Sequence, residues 1–519
     1  MLKQSRNALT HLAKRYRAVP RRCRLRALAL ACALTVLPPL PAGANSGGEV
    51  EKDYYGNPAY IGSTTGSGGD VIIDSGFDGS VYGGHTATAD TDATGNTASL
   101  TNGTVTGDVF GGYSENGSAH NNTAIISGGT VIGAVGGFSG DGSAHNNTVI
   151  ISGGTMGYVF GGQGDTATSN RVIISGGTME VVIGGNGSIA TSNRVIISGG
   201  TMGDVFGGYG SDSATDNWVI ISGTPTLSGT IYGGIGNGDG VSGNLLVLRT
   251  SGLTAMNLLN FERYAFQLPA DIRPGDVLLT LTNFYGIATD LTNGGKSPSP
   301  DIRRIDVNGA ASPLRVGDKV TLFRNDKGLI ARTLPTSVSG TQGVTLAYTY
   351  ALSNTNNTLD ATVSGTRVNP QTKALSEGHV SGVALARQGA DLAAGKGMEA
   401  AGRAVRASPA EGGKGVAAFG ALSGGWSRYN TGSHIDVSGF SLLTGLAWGA
   451  DSVLGQFTTG LFFEYGSAAS TTYNSFSNAA SVTGDGSTWY MAAACWRAWT
   501  SRTAAPATST PRPRAARAR

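Results

Sequence analysis

From Asp70 to Gly243, apolar residues come in short β-like runs that return about every 23 to 28 positions, each set between glycines and small polar residues. The clearest copies are Asn170 to Gly185 and Asn193 to Gly208: an Asn, Val-Ile-Ile, Ser-Gly-Gly-Thr-Met, a short apolar pair, then Gly-Gly. Gly-Gly pairs beginning at Gly83, Gly111, Gly136, Gly161, Gly184, Gly207 and Gly233 mark seven candidate turns of one architecture. A fixed period of this length is the signature of a solenoid, whose single coil cannot bury its own apolar face.

Each coil is expected to hold two β runs, such as Val172 to Ser175 and Val181 to Ile183, closed by a polar loop. Stacking in register predicts a column of Ile126, Ile151, Ile174, Ile197 and Ile221, a second of Val149, Val172, Val195 and Val219, and a third of Phe110, Phe160 and Phe206. Asn96, Asn122, Asn147, Asn170, Asn193, Asn217 and Asn244 predict a ladder of side-chain amides running from coil to coil. The Gly-Gly pairs are expected to supply positive φ at a tight corner, and right-handed winding is the default for parallel crossovers.

The spelling changes at Leu245. Residues 245–368 read as a β-rich cap, with strand candidates Val320 to Phe323, Val344 to Tyr348 and Leu359 to Val363 protecting the last coil's open edge. After Asn369-Pro370, Thr372 to about Met398 is the one convincing helix; its five glycines predict that it depends on narrow, partly polar surroundings. Val416 to Tyr429, Ile435 to Trp448, Val453 to Gly466 and Ser487 to Trp496 then read as long antiparallel strands. In the third, Phe457, Thr459, Leu461, Phe463 and Tyr465 share a face opposite Gln456, Thr458, Gly460, Phe462 and Glu464. In the second, Phe440, Leu442, Leu446 and Trp448 share one, and Gly449-Ala450-Asp451 reads as a joining turn. Such strands are those of an outer-membrane β-barrel, with a soluble sandwich as the alternative.

Composition supports this frame. The 519 residues include 82 Gly, and only 14% are charged, which points away from a helical enzyme. Residues 1–44 read as a signal peptide: nine Lys and Arg precede the apolar Ala27 to Leu37, and Ala42-Gly43-Ala44 fits a cleavage site. Without them the charge falls to about −6, so the basic pI does not indicate a nucleic-acid partner. Cys495 is the only cysteine left, and no disulfide framework is expected.

Motifs for chemistry are sparse. Gly207 to Ala214 nearly spells a calcium-binding nonapeptide, but it does not recur every nine residues and Ala214 is too small for its place. His120 and His145 fall one coil apart and read as a surface ladder, without carboxylate or thiol companions for a metal. Asn121–Thr123 and Asn146–Thr148 are candidate modification sequences, with the ladder as the alternative. Asp74, Asp78, Asp108, Asp165, Asp204 and Asp212 are scattered over loops. No nucleophile elbow, zinc helix or phosphate loop is present, so no catalytic, cofactor-binding or metal residue is assigned and no cofactor is expected.

The chain resembles an autotransporter, the type V secretion system of Gram-negative bacteria. The resemblance is carried by Ala374-Leu375-Ser376-Glu377-Gly378 through Gly389-Ala390-Asp391-Leu392, Ala418-Phe419-Gly420, Gly424-Gly425-Trp426-Ser427-Arg428-Tyr429 and Gly445-Leu446-Ala447-Trp448-Gly449. It implies an all-β protein: a right-handed parallel β-helix passenger, then an incomplete antiparallel transmembrane β-barrel, with one helix between them. The segments in order are a signal peptide (1–44), the repeat passenger (45–244), an autochaperone-like cap (245–368), a linker with a barrel-threading helix (369–413), a partial barrel (414–496) and an Arg/Ala/Pro-rich tail (497–519). Implied partners are the Sec machinery, periplasmic chaperones, the outer-membrane barrel-assembly machinery, outer-membrane lipid and a host or surface ligand. The implied location is the outer membrane and cell surface. The family's barrels have 12 strands and a terminal aromatic residue, whereas the strand pattern here breaks near Ala492. Truncation or a frame change is therefore expected, with periplasmic accumulation of a passenger that is poorly displayed. The repeated Gly/Ser/Thr/Asn surface fits an adhesin-like passenger. The alternatives are a secreted polysaccharide-acting hydrolase, which needs two carboxylates close together on adjacent coils, and a soluble structural solenoid.

Overall fold

The computed structural model describes residues 45–53, 56–283, 286–297, 299–309, 314–369, 371–408, 415–431, 433–452, 455–476 and 479–501. The signal-peptide segment 1–44 and the tail from 502 onward lie outside them. The chain divides into two compact units, Met1–Arg367 and Val368–Arg519.

The first unit is a parallel β-solenoid. Its coils build two long sheets, one from strands such as Thr148–Ile151, Arg171–Ile174 and Arg194–Ile197, the other from strands such as Thr155–Phe160 and Thr178–Ile183. Val149, Val172, Val195 and Val219 are register partners, as are Ile126, Ile151, Ile174, Ile197 and Ile221. All are fully buried, because alternate residues of a strand share a face and both columns point into the lumen. From the second sheet, Met156, Met179 and Met202 and the column Val159, Val182 and Val205 close the same core.

Three departures from the sequence expectations have physical causes. Six successive coils have a third strand segment where a polar loop is expected, as in Thr166–Thr168 and Asn186–Thr191. Its only inward residue is an alanine, in the stacked column Ala93, Ala119, Ala144, Ala167, Ala190 and Ala214, too small to register as apolar alternation. The paired glycines are not the residues with positive φ; that role falls to Gly129, Gly154, Gly177 and Gly200 of the Ser-Gly-Gly-Thr turns, at φ +76 to +85. Gly162 and its equivalents are needed for close approach instead: a Cβ there would sit 2.6 Å from the Asn170 amide, and one on Gly161 would sit 2.2 Å from the Gly184 carbonyl.

The third departure is at Leu245, where the repeat spelling stops but the parallel ladder continues. Leu245–Leu248 pairs with Trp218–Ile221, and Arg263–Leu268 and Asp301–Val307 extend the same sheet. Larger core residues, Tyr264, Phe266 and Phe323, replace the Val and Ile columns there. Antiparallel pairing appears further on, between Lys319–Asn325 and Thr358–Val368 and between Val338–Gln342 and Leu346–Asn354, and ends the coil stack. At the other end, the charged strand Glu49–Lys52 pairs antiparallel with Pro58–Ile61 and covers the first coil's edge.

The asparagine ladder is continuous. Each Nδ2 donates to the Oδ1 of the next asparagine, at 2.8 Å from Asn96 to Asn122, 3.0 Å from Asn147 to Asn170 and 3.3 Å from Asn217 to Asn244. The same amides also donate to the alanine column, as from Asn147 to the Ala119 carbonyl at 2.8 Å, so they are buried and satisfied rather than displayed at a surface turn.

The second unit is a helix on a four-stranded antiparallel sheet. The helix is longer than the pattern predicts: α1 (Gln371–Leu392) loosens into a π turn at Ala393–Gly397 and resumes as α2 (Met398–Ala407). The glycines that argue against a free helix are tolerated because packing supplies the stability. The strands are Val416–Asn430, His434–Ser452, Gly455–Phe476 and Ala479–Ser501. The expected turn at Gly449 to Asp451 is strand, and the last strand runs past Trp496, because Arg497 to Ser501 pair with Thr459 to Gly455. Among the described residues, no helix is long and apolar enough to cross a membrane, which says nothing about strands.

Candidate functional site

Two surfaces bring side chains together in ways that ordinary packing does not require. The first belongs to the sheet of the second unit. Leu422, Trp426, Phe440, Leu442, Leu446, Trp448, Phe457, Leu461, Phe463, Trp489, Met491 and Trp499 all lie on the face away from the helix and are exposed, Leu461 at 55%. The register places Trp489 and Phe440 on either side of Ser467, and Trp499 beside Phe457, so aromatic residues bound the apolar band at both ends. Trp489 and Trp499 are ten residues apart, about 34 Å of strand. At the roughly 40° tilt of membrane strands this spans about 26 Å, close to the height of a lipid-facing belt.

The opposite face is small and polar. Glu464, Ser441, Ser470, Thr458 and Thr472 are buried there, and the helix contacts all four strands. Tyr490 donates to Glu464 and Thr431 to Glu377, while Gln388 Nε2 reaches the Ser423 carbonyl at 3.1 Å. Gly389 is required where α1 crosses this cluster, since a Cβ would meet Tyr490 Oη at 1.7 Å. Apolar contact holds the ends: Leu392, Val405, Phe419, Leu443 and Trp496 at one, Leu385, Ile435 and Val437 at the other.

The second surface is an aromatic seam on the outside of the solenoid. The predicted phenylalanine column is part of a longer one, Tyr82, Phe110, Val135, Phe160, Ile183, Phe206 and Tyr232, which points away from the lumen. Across each Gly-Gly bend faces another column, beginning His85, Tyr113, Phe138. Tyr82 stacks on Phe110 at 5.1 Å, Tyr113 on Phe138 at 4.5 Å, and Phe110 meets Tyr113 edge-on at 5.3 Å. The rings make a second apolar cluster distinct from the lumen core. The signal that marks it is an aromatic residue on each side of Gly-Gly, as in Val109-Phe110-Gly111-Gly112-Tyr113, which periodicity alone does not single out.

Polar groups are drawn into this seam. Tyr113 Oη donates to the buried Glu115 at 2.8 Å. Tyr158 leans over Gly133 and donates to Asp108 at 2.7 Å, two coils away. Burial pushes the Asp108 carboxyl up to about 6, against the lowering effect of the Tyr158 hydroxyl. Burial also lowers the pKa of His85, opposed by the charges of Asp53 and Glu115.

The remaining sequence candidates do not converge. Asp108 and Asp204 share a column but are four coil steps apart, about 19 Å, beyond the separation at which two carboxylates flank a glycosidic bond. Asp78, Asp165 and Asp212 are exposed, and Asp74 lies near the first coil's end, where its backbone N–H donates to Asn45. Gly207 to Ala214 is not a loop but part of the strand Thr201–Thr215, with Ala214 buried in the alanine column. His120 and His145 stack at 4.9 Å as expected, yet His120 does have a carboxylate companion, Asp92 at 3.4 Å, contributed by the preceding coil. No group of three or more metal-ligating side chains forms among the described residues. Asn121 and Asn146 occupy the left-handed turn position before the ladder, with φ of 57° and 55°. Comparison with known proteins leaves the geometry to speak by itself: no family model, curated protein or solved structure matches the chain.

Proposed function

We propose that the chain is an autotransporter: the second unit sits in an outer membrane, and the solenoid is the passenger it places at the cell surface, where it acts as an adhesin. The observation that carries this reading is the inverted sheet, with its apolar, aromatic-bounded face exposed and its polar face closed on a helix. In water such a face costs free energy in proportion to its area; in lipid it does not. The helix, rich in small residues, suits a strand-walled channel, and the Ser and Thr rows on the outside of the solenoid suit an extended binding face. Export by the Sec pathway, handling by periplasmic chaperones and insertion by the barrel-assembly machinery follow from this role. The reading also requires the edge strands Val416–Asn430 and Ala479–Ser501 to find partners, because an open sheet edge in lipid leaves backbone groups unpaired.

The test is fractionation of Gram-negative cells expressing the full chain, followed by protease treatment of intact cells. The expected result is that the chain needs detergent for extraction from outer membranes; cleavage of the solenoid from outside measures how far it is displayed. Recovery in the soluble fraction without detergent would overturn it.

A further inference from the structure

The outward face of the solenoid's first sheet has three rows. In the first, Asp70, Thr97, Thr123 and Thr148 are followed on successive coils by Arg171, Arg194 and Trp218. Between Asp53 and Leu248 these two arginines are the only Lys or Arg, against fifteen Asp and Glu. They are nonetheless register partners, one coil step of about 4.8 Å apart. Like charges directly opposite each other in a ladder are destabilising, and neither has a carboxylate in ion-pairing distance among the described residues. Threonine fills the same position in three earlier coils, so folding does not require the pair.

The surroundings favour a ligand with both charge and sugar-like character. The Arg194 guanidinium lies 5.0 Å from the centre of the Trp218 ring, whose residue is 39% exposed. Burial and the charges of Arg171 and Arg249 hold the Arg194 pKa below its ordinary value, and Arg249 is exposed on the row's far side, one coil beyond Ser222. The middle row is an apolar rib that is half-buried at Ile173 and Ile196 and covered at Ile220, which is 2% exposed. In the third row, the hydroxyls of Ser175, Ser198 and Ser222 donate to the preceding coil's carbonyls at 3.4, 3.2 and 3.2 Å, which leaves their lone pairs facing out as acceptors.

We infer that the face formed by Arg171, Arg194, Trp218 and Arg249 binds an acidic polysaccharide, its carboxylates or sulfates on the guanidinium groups and its rings along Ile173, Ile196 and the Ser row. A nucleic acid would need a far broader basic footprint than three arginines on an acidic body. The site rests on the displayed-solenoid reading and names its ligand class; binding is measured on purified protein, so failure to bind and failure to reach the surface are separate results.

The test uses the full chain in detergent micelles and immobilised polygalacturonate, with uncharged dextran and single-stranded DNA as controls. Retention on polygalacturonate, weakening from about 50 to about 200 mM salt, is expected. The double substitution Arg171→Thr and Arg194→Thr should weaken it about tenfold or more, the loss of two charge-assisted contacts, with a melting temperature unchanged or higher. Arg171→Lys with Arg194→Lys should keep binding within a few-fold and guards against a folding artefact. Equal retention on dextran or on DNA, or a threonine variant that binds like the parent, would overturn the site. So would a threonine variant that melts lower while still binding, since the pair would then be structural.

Discussion

In the solenoid, Val149 and Ile151 point into a lumen where they are fully buried, whereas in the four-stranded sheet Leu461 and Phe463 stand on the outer face at 55% and 46% exposure. Both segments alternate with the same period of two, so alternation does not tell which face is inside. What differs is the other face. In the solenoid it is Thr, Ser and Arg with a single rib of Ile; in the sheet it is Glu464, Ser441 and small residues closed on a helix. An apolar face belongs wherever its opposite face is satisfied by protein, and the sheet's polar face already is.

The sharpest test pairs substitutions of equal chemistry. Ile151→Ala should destabilise the solenoid by about 3 to 4 kcal/mol, the cost of a buried cavity, while Leu461→Ala should change the stability of the detergent-solubilised protein by less than about 0.5 kcal/mol. Circular-dichroism melts in denaturant read both, and equal losses would break the contrast. Next in size is Leu461→Arg, which should cost about 2 to 4 kcal/mol in a bilayer and little in detergent. Resistance to extraction in membrane fractions checks it; unchanged resistance would remove the lipid-facing assignment.

A smaller effect separates the solenoid's interior from its seam. The Asp108 carboxyl titrates at about 6 in the folded chain, above its ordinary value of 3.8. A raised carboxyl favours the folded state at low pH, and that contribution is lost as pH rises through about 6. Stability should therefore fall by about 1 to 2 kcal/mol between pH 5 and pH 7.5 from this group, and Asp108→Asn should flatten that part of the profile. The smallest expected change is Ile150→Thr on the outward rib. It should stay within about 0.5 kcal/mol of the parent, an order of magnitude below its neighbour Ile151. A large loss there would mean that Ile150 is covered in the free protein, as Ile220 is.

Much of the solenoid was legible because stacking turns sequence period into spatial column: the Val, Ile and Asn positions could be aligned on the page, and the hydrogen bonds of the ladder follow from that alignment. The third strand was not, since alanine gives no apolar contrast. Nor was the reason for the Gly-Gly pairs, which depends on an Asn side chain from a later strand of the same coil and on the glycine carbonyl of the next coil. The aromatic seam was half visible, as one column of phenylalanines, but its second wall lies three residues on, across a bend that sequence spacing does not locate. The Asp92 carboxylate beside His120 came from another coil and had no local signal.

The sequence alone determined the coil length, the identity of the columns, the alternation of the long strands and the position of the helix, because all of these are periodic properties of a single chain. Tertiary structure decided what each column faces. Inward or outward, glycine for conformation or for clearance, carboxylate alone or paired with a tyrosine two coils away: each depends on atoms far off in sequence but only one or two coil steps of about 4.8 Å apart in space.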